Sequence, residues 1–202
     1  MILLINPPSA IKDIPDIPPL GLAYLASVLR NSNFEVVVLD LDLERERLAE
    51  LPRLLADWRP DIVGLGGLTL QIENAFKIAR EVKERLPRTM VVVGGPHASA
   101  LPEETIHESL GGVDVVVTGE GEYAMLALAQ GRAWDEIPGI YYRQDNVILR
   151  TASPSPIANL DELPLPARDL LPMHRYRGWG PLRKRPTVLA RSSSGKNMDV
   201  EG

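Results

Sequence analysis

Cysteine is missing from all 202 residues. That excludes disulfides, thiolate nucleophiles, zinc–thiolate sites and cysteine-ligated iron–sulfur clusters within this sequence. Long apolar runs are missing too, and no stretch approaches the roughly 20 residues that span a bilayer. The first run, Met1 to Ile5, has no basic flank and stops at Asn6-Pro7-Pro8. It reads as a buried strand, not a signal peptide. Charge of one sign does not cluster: the net charge is -5 and the 22 basic residues are scattered. Nucleic acid is therefore not an expected partner. The expectation is a soluble, cytoplasmic protein with no membrane span.

What is present suits a globular fold. Hydrophobic residues make up 45% and charged residues 24%, an ordinary balance, and the length suffices for one well-buried domain with an appendage. Short β-branched runs recur at Ile2–Ile5, Glu35–Leu39, Asp61–Leu65, Met90–Val93 and Val113–Val117. Runs apolar on both faces suit parallel strands covered by helices. Between them, 20–30, 48–58 and 72–86 carry apolar residues at helical spacing, and helices are also expected over 102–109 and 123–129. Strict alternation predicts an α/β, doubly wound, flavodoxin-like (Rossmann-like) five-stranded parallel sheet closing near Gly131. A β-hairpin extension is expected over 132–152, then a proline-rich linker over 153–190 draped on a surface, then a disordered tail over 191–202.

In open α/β sheets, ligands bind beyond the carboxyl ends of the strands. Strand one leads into Asn6-Pro7-Pro8 and a long loop to Gly21. Strand three leads into Gly66-Gly67-Leu68-Thr69, and strand four into Gly94-Gly95-Pro96-His97-Ala98-Ser99. Strand five leads into Gly119-Glu120-Gly121-Glu122. Tight turns use glycine on their own account, but three glycine-rich loops on one edge clear it for a bulky ligand. His97 reads as a loop or helix-cap residue in preference to a metal ligand. Glu120 and Glu122 are an acid/base pair or, as their tight loop favours, a helix cap with contacts to ligand hydroxyls or amides. His107 and His174 read as surface residues. No residue is assigned as catalytic or as a metal ligand.

The loop after strand one excludes several ligands. Asn-Pro-Pro stands where a dinucleotide site needs G-x-G-x-x-G. There is no P-loop, no carboxylate cluster of a phosphoacceptor domain, and no Ser/Thr-rich flavin phosphate loop.

Taken in order, the motifs resemble those of one family: the N-terminal cobalamin-binding domains of cobalamin-dependent radical S-adenosylmethionine enzymes. The match runs through Asn6-Pro7-Pro8, Pro19-Leu20-Gly21-Leu22-Ala23-Tyr24, Pro60-Asp61-Ile62-Val63-Gly64, Gly94-Gly95-Pro96-His97, Gly119-Glu120-Gly121-Glu122, Ile137-Pro138-Gly139-Ile140 and Leu163-Pro164-Leu165-Pro166. The resemblance implies a bound cobalamin with its dimethylbenzimidazole tail displaced from cobalt. Other cobalamin domains carry D-x-H-x-x-G, with the His on the metal. Gly21 resembles that glycine and Pro18 stands in the place of the His, so no His ligand is implied. The tail is then expected in a groove lined by Gly66, Gly67, Gly94 and Gly95, with Thr69 and Ser99 donating to it and helix-start amides holding its phosphate.

Family members continue into a barrel opening with C-x-x-x-C-x-x-C, whose thiolates hold a four-iron cluster. Here Ala190 is followed by Arg191-Ser192-Ser193-Ser194-Gly195. The expectation is a module truncated before the barrel, not an enzyme by itself, with a separate barrel polypeptide as a candidate partner. The alternative is a small-molecule sensor or partner-binding domain of the same fold without cobalamin. Iron and sulfide reconstitution of the 202-residue chain should yield no S-adenosylmethionine cleavage; 5′-deoxyadenosine above a no-protein control would refute this.

Overall fold

The computed structural model describes residues 1–11 and 17–176. Expectations for 177–202, the last part of the linker and a disordered tail, lie outside the described residues. Five parallel strands alternate with helices: β1 (Ile2–Asn6), β2 (Val36–Asp40), β3 (Ile62–Leu65), β4 (Met90–Val93) and β5 (Val115–Val117). The helices are α1 (Leu20–Asn31), α2 (Leu51–Trp58), α3 (Ile72–Arg85), α4 (Pro96–Ala100), α5 (Pro102–Glu108) and α6 (Glu122–Ala129). The helix expected from 48 begins with a 3-10 turn, Arg45–Glu50, and α4 extends helix into a stretch expected as loop.

The sheet has seven strands, not five. Its order is β2-β1-β3-β4-β5-β6-β7, where β6 (Ile140–Gln144) and β7 (Val147–Arg150) are antiparallel. The expected hairpin is present, but it extends the sheet: Val116 pairs with Tyr141. Edge strands expose unpaired backbone groups, and β5 is three buried valines. Pairing with β6 satisfies that edge. Asp145 and Asn146, at φ 49 and 64, make the tight turn, as a two-residue hairpin demands.

Period-two alternation sorts the strand residues onto two cores. Leu3, Ile5, Val63, Leu65, Val91 and Val93 pack with α2 and α3. Ile2, Leu4, Ile62, Val92, Val115 and Val117 face α1 and α6. Since β1 lies between β2 and β3, the winding reverses there, and the crevice opens at the carboxyl ends of β1 and β3. Among the described residues no helix is long and apolar enough to cross a membrane.

The proline-rich segment after β7 packs along α1. Leu163, Ala167, Leu171 and Tyr176 are buried, and the Ala167 N–H donates to the Ala23 carbonyl at 2.9 Å. The segment ends in a buried bond, from the Tyr176 hydroxyl to Asp40 Oδ2 at 2.7 Å. Asp40, at the end of β2, also accepts from Asn6 Nδ2 at 2.8 Å and from the Leu43 N–H at 3.2 Å. Burial pushes the Asp40 pKa up, and the Tyr176 and Asn6 hydrogen bonds oppose that shift. Burial raises the Tyr176 phenol, and the Asp40 charge raises it further. Outside the pair, Arg175 bonds Glu44 at 2.7 Å.

Asp40's own contribution to stability is present below its unfolded value and is lost as pH rises through its raised folded value. Tyr176→Phe removes a donor to the charged form. It should cost about 1.5–3 kcal/mol at neutral pH, and less as pH falls and Asp40 takes up its proton. Urea melts of both proteins at neutral and mildly acid pH check this; a penalty that grows on acidification contradicts it.

Candidate functional site

The alternation that builds the α1/α6 core also paves the site. On that face the ladder reads Leu4, Gly64 and Val92 side by side across β1, β3 and β4. One step outward, at the carboxyl edge, come Asn6, Gly66 and Gly94. Gly66 and Gly94 continue the ladder, donating to the Ile5 and Leu65 carbonyls at 3.1 and 3.0 Å. Three glycines therefore share one face, where bulkier residues would fill the space beneath α1 and α6.

A cleft of about 670 Å³ occupies that space, within the ~300–1,000 Å³ range of small-molecule sites. Its floor is the sheet, its walls Leu22 and Leu25 of α1 and Met125 of α6, and its rim the loops after β1, β3, β4 and β5. Of the sequence-predicted residues, Asn6, Gly21, Gly66, Gly67, Leu68, Gly94, Gly95 and Pro96 line it, as do Gly119, Glu120, Gly121 and Glu122. Pro7, Pro8, Thr69, His97 and Ser99 are not among its lining residues, and Thr69 and Ser99 are exposed. The Pro7 and Pro8 carbonyls accept from Gln71 Nε2 and Asn74 Nδ2, both at 2.9 Å. Ser99 Oγ accepts from the Gly119 N–H at 3.0 Å. His97 Nδ1 is 3.2 Å from Thr69 Oγ1, and its Nε2 is buried without a partner. His107 and His174 are exposed. Among the described residues no cluster of three or more metal-ligating side chains occurs.

The glycines do different work. Gly66 has no left-handed backbone, and a Cβ there would meet only the Leu22 side chain at 3.4 Å. Gly95 is at φ +99, and a Cβ would lie 3.0 Å from the Gly67 carbonyl oxygen. Gly95 is required by the backbone; Gly66 is required by nothing except the space it leaves. At Gly21, in the first turn of α1, a Cβ meets nothing within 4 Å, so that turn is open to the cleft.

Polar side chains on the rim are occupied with protein. Gln71 Oε1 accepts from the Leu68 N–H at 2.9 Å, while its Nε2 donates to Asn6 Oδ1 at 3.0 Å and to the Pro7 carbonyl. Asp42 accepts from the Ser9 N–H at 2.8 Å and pairs with Arg45 at 2.6 Å. Glu120 Oε2 accepts from the Ile157 N–H at 2.6 Å and so ties the proline-rich segment to the cleft. Gly139 and Gly119 sit under the Pro154 ring of that segment, where added Cβ atoms would lie 2.8 and 3.2 Å from it. Glu122 is buried at the start of α6. Sequence reasoning passed over Gly64, Gln71, Asp42 and Met125. Only the register across β1, β3 and β4 identifies Gly64. Counting back from Gly21, Pro18 holds the His position of D-x-H-x-x-G and Asp16 its Asp position, so the departure from that motif is confined to the His.

Comparison with known proteins bears on the domain as a whole. The family model described as B12 binding domain matches residues 11–129. An uncharacterized methyltransferase of Pyrococcus horikoshii is 38% identical over 188 residues, covering 89% of this chain and 40% of that protein. The hopanoid C-3 methylase of Methylococcus capsulatus is 35% identical over 164 residues, covering 78% of this chain and 30% of the methylase. The chain thus spans well under half the length of these relatives. Among solved structures, the radical S-adenosylmethionine methyltransferase TsrM of Kitasatospora setae, with cobalamin and a [4Fe-4S] cluster bound, superposes with a TM-score of 0.65 at 25% identity, covering 75% of this chain and 30% of that one.

Glu120→Ala should free the segment that Ile157 anchors. Losing a hydrogen bond to a carboxylate, about 1.5–3 kcal/mol, should speed exchange of the Ile157 amide by tenfold or more. Unchanged exchange at Ile157 would show that the tie is not made in solution.

Proposed function

The chain belongs to the B12-binding domain family, and from that premise we propose that it holds cobalamin base-off in the cleft at the carboxyl edge of the sheet. One observation carries the reading: Gly64, Gly66 and Gly94 share the sheet face that floors an apolar cleft. Glycine there costs backbone entropy, and Gly66 has no backbone requirement to justify it. A ligand that needs the space explains it.

The residues present fit a corrinoid. Leu22, Leu25 and Met125 offer apolar walls. Amides in the first turns of α1 and α6, which have no intrahelical acceptors, stand at the rim to receive a phosphate and carboxamides. Pro18 lines the cleft with no coordinating atom. When bound, cobalamin supplies a cobalt centre able to carry an alkyl group. This chain's residues bind and orient it and shield its tail from water. The greater length of the relatives supports a further reading, that a cysteine-bearing radical barrel, joined or separate, provides the cluster and the substrate site. The cytoplasm is the proposed location, since such clusters require reducing conditions.

Absorbance titration with hydroxocobalamin should saturate at one equivalent. Cob(II)alamin on the protein should show no nitrogen ligand in its electron paramagnetic resonance spectrum; a protein-derived nitrogen coupling would overturn the base-off, His-free reading. Gly66→Leu should melt within about 1 kcal/mol of the parent yet lose about 3 kcal/mol of affinity, roughly a hundredfold. Normal melting with undiminished affinity would remove the glycine face from the site.

A further inference from the structure

We infer that the trough at Gly64 selects corrinoids by their lower base, accepting an apolar benzimidazole or phenol and rejecting a purine. The inference rests on the cobalamin reading above and deepens it.

At Gly64 the sheet face under the cleft carries no side chain of its own. Leu4, Gly64 and Val92 are register neighbours on three adjacent strands. A Cβ at Gly64 would lie 2.7 Å from Leu4 Cδ2 and 3.4 Å from Met125 Cε. The place a Gly64 side chain would take is therefore filled by the end of Leu4, with Met125 beside it, and these two flexible apolar ends floor the trough. Around it stand Leu22, Val117 and Met125, which are apolar and buried. Side-chain donors begin farther out. Asn6 lies two residues along β1 from Leu4, and both it and Gln71 are engaged with protein oxygens. Glu122 brings carboxylate oxygens, which match a purine's amino group and not its ring nitrogens.

A base lodged in this trough meets methyl and methylene groups. Dimethylbenzimidazole, displaced from cobalt, has one unsubstituted ring nitrogen to leave without a partner. Adenine at the same position has three ring nitrogens, each an acceptor taken out of water. Each buried acceptor without a donor costs about 1–3 kcal/mol, so the trough should favour the benzimidazole by at least tenfold. Gly64 and Met125 thus act as specificity determinants through shape and the absence of donors.

The test sets this effect against one of opposite sign. Adenine coordinates cobalt more weakly than dimethylbenzimidazole and is displaced more easily. Displacement alone therefore ranks the adenine analogue as the tighter ligand. The 202-residue chain is titrated with cobalamin, with its adenine-base analogue, with a p-cresol-base analogue that has no coordinating nitrogen, and with tailless cobinamide. The expected order is cresol analogue at least equal to cobalamin, cobalamin at least tenfold tighter than the adenine analogue, and cobinamide far weaker than cobalamin. Equal or tighter binding of the adenine analogue overturns base selection while leaving the cobalamin reading intact. If no corrinoid binds, the cobalamin reading itself falls, and this inference with it. Gly64→Val, with folding checked by its melt, should bind cobinamide as the parent does and lose the advantage of cobalamin over it. A folded Gly64→Val protein that keeps the full preference for cobalamin overturns the assignment of the trough.

Discussion

Period-two alternation of side chains across β1, β3 and β4 is the constraint on which the rest depends. It sends one set of residues into the core with α2 and α3, and the other toward α1 and α6. On the second face, side-chain volume falls away toward the carboxyl edge, from Ile2, Ile62 and Met90 to Gly64, and then to Gly66 and Gly94. A shift of one residue in β3 or β4 would turn its glycines to the opposite face. The site would then fill with Leu65 or Val93. The floor of the cleft is a by-product of sheet register.

The rim is organised differently, by polar contacts between segments far apart in the chain. Asp40 gathers Asn6 from the end of β1 and Tyr176 from the end of the described chain. Gln71 joins the loop after β3 to the loop after β1. A carboxylate as deeply buried as Asp40 is tolerated because it accepts several hydrogen bonds. Its raised pKa shows that these do not fully offset desolvation. Such a hub favours one arrangement of the β1 and β2 ends over looser alternatives, which keeps the mouth of an apolar cleft from closing on itself.

Much of this was legible in the sequence. The β-branched runs marked β1 to β5, and helical spacing marked α1 and α3, because these elements bury whole faces and carry their own periodicity. The hairpin was legible from its turn, but its pairing onto β5 was not, since that depends on an edge assembled elsewhere. Gly66, Gly94 and Gly119 stood out beside other turn residues. Gly64 did not, because inside the run Ile62-Val63-Gly64-Leu65 it looks like ordinary strand. Thr69, His97 and Ser99 were expected at the ligand, and none of them lines the cleft. The turns that carry them point them at each other and at the Gly119 amide, an orientation that one-dimensional spacing does not encode. The Asp40 and Tyr176 partnership spans 136 positions and leaves no local trace.

The Tyr176 bond also fixes a point of departure. The segment after β7 packs along α1 and brings Tyr176 beside Asp40, at the carboxyl edge where the cleft opens. A polypeptide continuing from Tyr176 sets out from the lip of that cleft, not from the far end of the sheet. For a short tether, geometry then sets the local concentration of whatever it carries, in the millimolar range typical of such linkages. A group tethered at such a point would meet the cleft repeatedly without any strong affinity for it.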